Sequence, residues 1–198
     1  MSSPRKGWSV RPNPRPKPAT PDHGLLAAEG WLALDTETTG RGDGAEVVEV
    51  AVVDADGTVL FDSVIRPTRR ISAGAERLHG LTAERLSAAP SFAAVYDEVR
   101  ALIADRAVIA YHAPFDRRVL KTSCLRAGLA EIPATWICAL DYYESLRGFR
   151  PSLHVACEIE SVDGPTQSHR AAADALALQR LIARLREPKS PLGVRQIC

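Results

Sequence analysis

The sequence lacks the long apolar runs that membrane segments require. Its longest largely apolar stretches, residues 47–53 and 107–111, fall far short of the ~18 residues that a transmembrane helix needs. The N-terminus has no apolar core of the kind found in secretory signal peptides. These features predict a soluble protein that works in the cytoplasm without contacting a membrane.

Closely spaced cysteines are absent too. The four cysteines are far apart and form no CxxC pair; they are Cys124, Cys138, Cys157 and Cys198. A chain of 198 residues can bury a stabilising core without disulfide bonds. We therefore expect reduced thiols that bind no metal.

The composition is that of a globular protein. Hydrophobic residues make up 45% and charged residues 25% of the chain, which excludes a fibrous or wholly disordered protein. The sequence shows no internal repeat, and its length fits one domain with an appendage.

The net charge of +1 conceals a basic N-terminal segment. Residues 1–23 carry a net charge of +4 and hold six of the 14 prolines, whereas the other 175 residues carry −3. Such a segment cannot bury enough apolar surface to fold, so we expect a disordered tail. It is either a solubility leader or a sequence-independent contact to phosphates. Residues 24–187 are the predicted domain, and residues 188–198 are a C-terminal tail.

Strand and helix patterns alternate along the predicted domain, which indicates an α/β fold. Three strands are predicted first, and Asp54-Ala-Asp-Gly57 is typical of a hairpin between the second and third. The predicted strands are 31–34, 46–54, 58–65, 107–111 and 135–138. The predicted helices begin at Ser91 and Pro114 and cover 153–158 and 168–186, the last with Ser168 as its N-cap.

Asp35 and Glu37 follow the first predicted strand. Side chains two apart on a strand point to the same face, so both carboxylates can approach one point in space. Adjacent acids repel unless a cation neutralises them, and oxygen ligands suit Mg²⁺ or Mn²⁺. The alternative is a solvated strand end with no ligand.

Two further clusters contain residues suited to catalysis. Asp116 lies in the first turn of a predicted helix, where acidic residues are also favoured by the helix dipole alone. Asp174 is predicted to lie more than one turn inside the last helix, among alanines and leucines, where an unpaired buried acid is costly. A bound metal ion would compensate the charge of Asp174 and so explain an acid at this position. A histidine in the position of His169, at the entrance of that helix, is taken alone more often an ordinary surface or core histidine.

Together the three clusters resemble the DEDD exonuclease superfamily, in its histidine-bearing, DnaQ-like branch that includes proofreading epsilon-type domains. Leu34-Asp-Thr-Glu-Thr-Thr-Gly40 is similar to the first motif of the family, and His169-Arg-Ala-Ala-Ala-Asp-Ala175 to its third. The segment 71–82, which ends His79-Gly-Leu-Thr82, is similar to a family loop. In the second motif, where the family often has His-Asn-Ala-x-Phe-Asp, this chain has Tyr111-His112-Ala-Pro-Phe-Asp116.

The resemblance implies an RNase H-like α/β fold, with a mixed five-stranded sheet and helices on both faces. It also implies stepwise 3′-to-5′ removal of nucleoside monophosphates from DNA or RNA with a free, single-stranded or frayed 3′ end. Asp35, Glu37 and Asp174 would bind one cation, and Asp116 a second, directly or through water. Two cations ~4 Å apart can offset the phosphate charge and stabilise the leaving oxygen.

The histidine and the substrate contacts complete the predicted site. His169 would take the proton from the attacking water, since imidazole titrates near neutrality. The predicted substrate contacts are the backbone amides of Thr38 and Thr39, together with Phe115 and His79; His79 is as compatible with a structural role.

Two alternatives to a stand-alone exonuclease are compatible with the fold that the resemblance implies. A proofreading subunit would bind a DNA polymerase, although the 13 residues after Leu185 are few for an extensive contact. A non-catalytic binding module is disfavoured because all four acids and the histidine are present.

Overall fold

The computed structural model describes residues 30–164 and 169–187. The predicted tails and Ser168 lie outside the described residues.

Five strands form one mixed sheet in the order β3-β2-β1-β4-β5. The antiparallel strands are β1 (Leu32–Thr38), β2 (Val47–Asp54) and β3 (Val59–Val64). β4 (Ala107–Ala110) runs parallel to β1, and β5 (Thr135–Cys138) runs parallel to β4. The predicted mixed five-stranded sheet is confirmed.

Helices cover both faces of the sheet, as predicted. Leu32, Leu34 and Val52 face one core together with helices α2 and α3, whereas Ala33 and Ala51 face the other core together with α6. The helices are α1 (Ala73–His79), α2 (Phe92–Ile103), α3 (Ala113–Arg126), α4 (Ala139–Arg147), α5 (Leu153–Glu160) and α6 (Ala171–Arg186).

The strand β1 is longer than predicted. It was expected to end at Leu34, but its pairing with β2 continues to Thr38, with an irregularity after Glu37. The backbone pairing therefore overrides the polar side chains, and Asp35 and Glu37 lie within the strand.

The last helix begins later than predicted. It starts at Ala171, with Arg170 as its N-cap, rather than at Ser168. His169 precedes the helix, and Asp174 lies in its first turn instead of farther inside. The sequence pattern did not locate the start, because alanine is favourable throughout a helix and gives no signal for its first turn.

Two short helices escaped prediction. The segment 71–82, expected to be a loop, contains α1, whose N-cap Ser72 accepts a hydrogen bond from the amide of Ala75. The helix α4 directly follows β5. Helices of 7 and 9 residues give too few turns to establish a 3.6-residue period.

None of the helices in residues 30–164 and 169–187 is long and apolar enough to cross a membrane. Within the same part of the chain, Cys124, Cys138 and Cys157 form no disulfide bond.

Candidate active site

The pleat of β1 directs two acids towards α6. Asp35 and Glu37 share a strand face with Ala33, which packs against the α6 side of the sheet, whereas Thr36 points to the opposite face. The strand thus presents two carboxylates to the helix that carries Asp174.

Thr36 helps to place the third acid. Asp116 lies in the first turn of α3, directly beyond the C-terminal end of β4. The hydroxyl Oγ1 of Thr36 donates to Oδ1 of Asp116 over 2.8 Å. Because β1 and β4 are parallel neighbours, this hydrogen bond fastens Asp116 to the strand that carries Asp35 and Glu37.

The segment before α6 supplies the histidine. Ligand atoms of Glu37, His169 and Asp174 all lie within 4.8 Å of one another. Nδ1 of His169 is 4.0 Å from Oδ2 of Asp174, and the histidine side chain is 48% exposed. Its φ of 40° is in the left-handed region, which costs a residue other than glycine roughly 1–2 kcal/mol.

A cavity of about 570 Å³ contains all five predicted catalytic residues. Phe115 also lines it, with the Arg118 guanidinium carbon 5.2 Å from the centre of its ring. The full lining is Asp35, Thr36, Glu37, Tyr111, His112, Phe115, Asp116, Ser152, Leu153, His154, His169 and Asp174.

Burial raises the pKa of every carboxyl group in this cavity. The pKa of Asp35 is well above its usual range because of burial, with smaller contributions from the charges of Asp116 and Asp174. Burial is also the largest cause for Glu37, whose pKa is about 8, for Asp116, about 7, and for Asp174, about 6. His169 lowers the pKa of Asp174, by less than burial raises it.

These residues fit divalent cations. Oδ1 of Asp174 is buried and has no hydrogen-bond partner among the described residues. Buried carboxylate oxygens that repel one another are stabilised by a cation, and hard oxygen ligands suit Mg²⁺ and Mn²⁺. Asp35, Glu37, Asp116 and Asp174 are therefore the candidate ligands.

Three of the predicted substrate contacts lie outside the cavity lining. His79 is buried, with Nε2 3.1 Å from the carbonyl of Thr38, and its Nδ1 accepts from the amide of Leu81. The amide of Thr39 donates to the carbonyl of Glu46. This geometry does not support a substrate contact by the Thr39 amide, and it favours a structural role for His79 at the end of β1.

Several lining residues escaped the sequence analysis. Ser152, Leu153 and His154 reach the cavity from the start of α5, where no motif marks them. Tyr111 and His112 lie within the second motif, and His112 replaces the asparagine of the family pattern. The second motif, with its departure at His112, was therefore the sequence signal that could have identified both residues.

The raised pKa values predict how pH affects the stability of the metal-free protein. The pKa of Glu37, Asp116 and Asp174 is higher in the folded chain than in the unfolded chain, so the folded state binds more protons at intermediate pH. Stability should therefore fall as pH rises from about 5 to about 8. Thermal melting in EDTA measures this, and a Tm that rises across this range would contradict it.

Divalent cations should reverse that loss. At pH 8 and a concentration 100-fold above Kd, Mg²⁺ or Mn²⁺ should raise the Tm by roughly 5–10 °C. KCl at matched ionic strength is the control and should produce no comparable shift. The same shift with KCl would point to general screening of the acids.

The chain is similar to known exonucleases. The family model RNase_T, described as Exonuclease, matches residues 32–182. The uncharacterized exonuclease CP81 of Escherichia phage 186 is 31% identical over 166 residues, which cover 74% of this chain and 86% of the phage protein. DNA polymerase III subunit epsilon of Rickettsia felis is 31% identical over 166 residues, covering 78% of this chain and 72% of that subunit.

A solved structure is similar as well. Exonuclease X in complex with 5′ overhanging duplex DNA matches with a TM-score of 0.62 and 27% identity. The match covers 78% of this chain and 90% of the other.

Proposed function

Because the chain belongs to the exonuclease family, we propose that its cavity hydrolyses the terminal phosphodiester at 3′ ends of DNA or RNA and releases nucleoside monophosphates. The predicted family, fold and exonuclease activity are confirmed by the family match and by the related proteins. One observation supports the proposed chemistry above all: four acids and one histidine, from three separate segments of the chain, line a single cavity.

The cofactors are divalent cations, and we propose Mg²⁺ or Mn²⁺, two per site. Asp35, Glu37 and Asp174 would hold one, and Asp116 the second. Bound cations offset the charge of the phosphodiester and lower the pKa of water. The raised pKa values of the carboxyl groups mean that cations compete with protons for the site, so cation affinity should increase with pH.

His169 would serve as the general base. Its side chain is half exposed and lies beside Asp174, so it can accept a proton in the cavity and return it to solvent. The buried acids are weaker bases while they bind cations, because a bound cation stabilises their charged form.

Phe115 would contact the terminal base. Its ring lines the cavity, and an aromatic ring in a cavity wall can stack with a base. The Arg118 guanidinium, 5.2 Å from the ring centre, adds a positive charge beside this stacking surface. Thr38 and His79, proposed initially as substrate contacts, would then act by shaping the end of β1, which they join through the Thr38 carbonyl.

A second candidate is a proofreading subunit that binds a DNA polymerase. The observation that favours it is the similarity to DNA polymerase III subunit epsilon of Rickettsia felis. Co-purification of a polymerase with the tagged chain would support it. In either case we propose a cytoplasmic location, where the cysteines would stay reduced.

Digestion of end-labelled single strands tests the proposed polarity and substrate range. With Mg²⁺ or Mn²⁺, a 3′-labelled strand should release a labelled mononucleotide at once, whereas a 5′-labelled strand should shorten stepwise. Matched DNA and RNA strands measure the sugar preference. A circular single strand is the control and should survive. Early release of the 5′ label, or cleavage of the circle, would contradict the proposal.

A further inference from the structure

Glu49 is a buried acid that lies outside the candidate site. Glu49 is the sole charged residue within the apolar run 47–53 of β2, and its side chain is 1% exposed. It lies directly opposite Glu37 in the register of β1 and β2. Like charges at such cross-strand positions are destabilising, so Glu49 requires a compensating partner.

Arg170 and the start of α6 provide that compensation. Nε of Arg170 lies 2.9 Å from Oε1 and 3.0 Å from Oε2 of Glu49, and Nη2 also contacts Oε1. The amide of Ala171 donates to Oε2 over 3.1 Å. Arg170 is the N-cap residue of α6 but makes no capping hydrogen bond through its side chain. Glu49 therefore supplies the acceptor that a capping side chain would otherwise provide.

This attachment lies between two residues of the candidate site. His169, with its left-handed backbone, immediately precedes Arg170, and Asp174 follows in the first turn of the helix. Neither Glu49 nor Arg170 lines the cavity. The pair thus joins β2 to the chain segment that carries His169. The strand β2 itself pairs with β1, which carries Asp35 and Glu37.

We infer that the Glu49–Arg170 ion pair positions His169 and Asp174, and keeps them close enough to the carboxylates of β1 for the residues to act together. The inference rests on the proposed function of the cavity. The pair acts through other residues, since the geometry gives neither member a contact with the reacting atoms.

A direct contact between Arg170 and the substrate would change the kinetic constants in a different way from a positioning role. Its side chain is 39% exposed, so it could instead bind a substrate phosphate. Loss of a phosphate contact would raise KM and leave kcat unchanged. Loss of positioning would lower kcat with little change in KM.

The Arg170→Gln variant separates these roles in the end-labelled strand assay at saturating Mn²⁺. We expect kcat to fall roughly 10–100-fold, because a misplaced base or ligand loses its alignment. Arg170→Lys should recover part of this loss, since an ammonium can bind one carboxylate oxygen but cannot span both. The Tm rise on adding Mn²⁺ should be smaller in Arg170→Gln than in the wild type, which is a readout independent of turnover.

The Arg147–Glu160 pair offers a matched control. Arg147 also binds one glutamate through two nitrogens, at 2.6 and 2.8 Å, and neither residue lines the cavity. Arg147→Gln should lower the Tm in EDTA and leave kcat and the Mn²⁺ shift unchanged. A purely structural role for Arg170 would give this same result.

A second variant covers the case in which Arg170→Gln fails to fold because Glu49 is left unpaired. Glu49→Gln combined with Arg170→Gln removes both charges and keeps an oxygen for the amide of Ala171. It should fold and show the same loss of kcat. Wild-type kcat in a folded variant, or a rise in KM alone, would overturn the inference. Failure of the wild type itself to digest any strand would instead overturn the proposed function.

Discussion

Replacing Asp174 with alanine should abolish turnover while the fold survives. Cations supply several kcal/mol of charge stabilisation to the transition state, so loss of a ligand to one of them should reduce kcat roughly 10³-fold or more. The assay is digestion of the 5′-labelled single strand at saturating Mn²⁺.

The same variant has an expected effect on stability that distinguishes a cation ligand from a structural acid. Oδ1 of Asp174 is buried without a hydrogen-bond partner among the described residues, and burial raises the pKa of this carboxyl group. Its removal should therefore leave the Tm in EDTA unchanged or raise it, whereas the Tm rise on adding Mn²⁺ should shrink.

Asp97→Ala is the matched control, since Asp97 is an exposed acid on α2 outside the cavity lining. It should retain full turnover and the full Mn²⁺ shift. A fully active Asp174→Ala enzyme would remove Asp174 from the cation site. A large drop in its Tm in EDTA would assign the residue a structural role.

Replacing His169 with asparagine should lower kcat roughly 10²–10⁴-fold, the usual effect of losing a positioned general base. Asparagine is the appropriate substitute because it tolerates the left-handed backbone found at this position. The fold, the affinity for single strands and the Tm rise on adding Mn²⁺ should therefore be close to those of the wild type.

The pH profile gives a second measure of the same role. At saturating Mn²⁺, the wild-type kcat should rise with pH if His169 must be unprotonated to act, and this rise should be lost in His169→Asn. Saturation with Mn²⁺ matters because proton competition at the acids would otherwise add its own pH dependence. Near wild-type kcat with an unchanged profile would exclude His169 as the base.

Local sequence patterns, together with the family resemblance, were sufficient to predict the fold class and the four acids and one histidine that line the cavity. Alternation of side chains along β1 puts Asp35 and Glu37 on one face whatever the rest of the chain does. The turn at Asp54–Gly57 and the acid in the first turn of α3 are likewise short-range features. Such features depend on neighbours a few residues apart, which is why a sequence alone reveals them.

Element boundaries required the tertiary structure. β1 extends to Thr38 because β2 pairs with it, and α6 starts at Ala171 because Glu49, 122 residues earlier, accepts from its first amide. The polar residues after Leu34 do not indicate that β2 pairs with them, and the alanines after Arg170 do not indicate a contact with Glu49.

The roles of individual side chains depended on the tertiary structure for the same reason. His79 was as suited to a substrate contact as to a structural one until the carbonyl of Thr38 was found beside its Nε2. No sequence pattern singled out Glu49, and only the folded chain places Arg170 against it. Composition and short-range periodicity indicated the five strands, the longer helices and the chemistry that the chain carries. Only packing between distant segments decided which polar atoms were already satisfied and which were left to face the cavity.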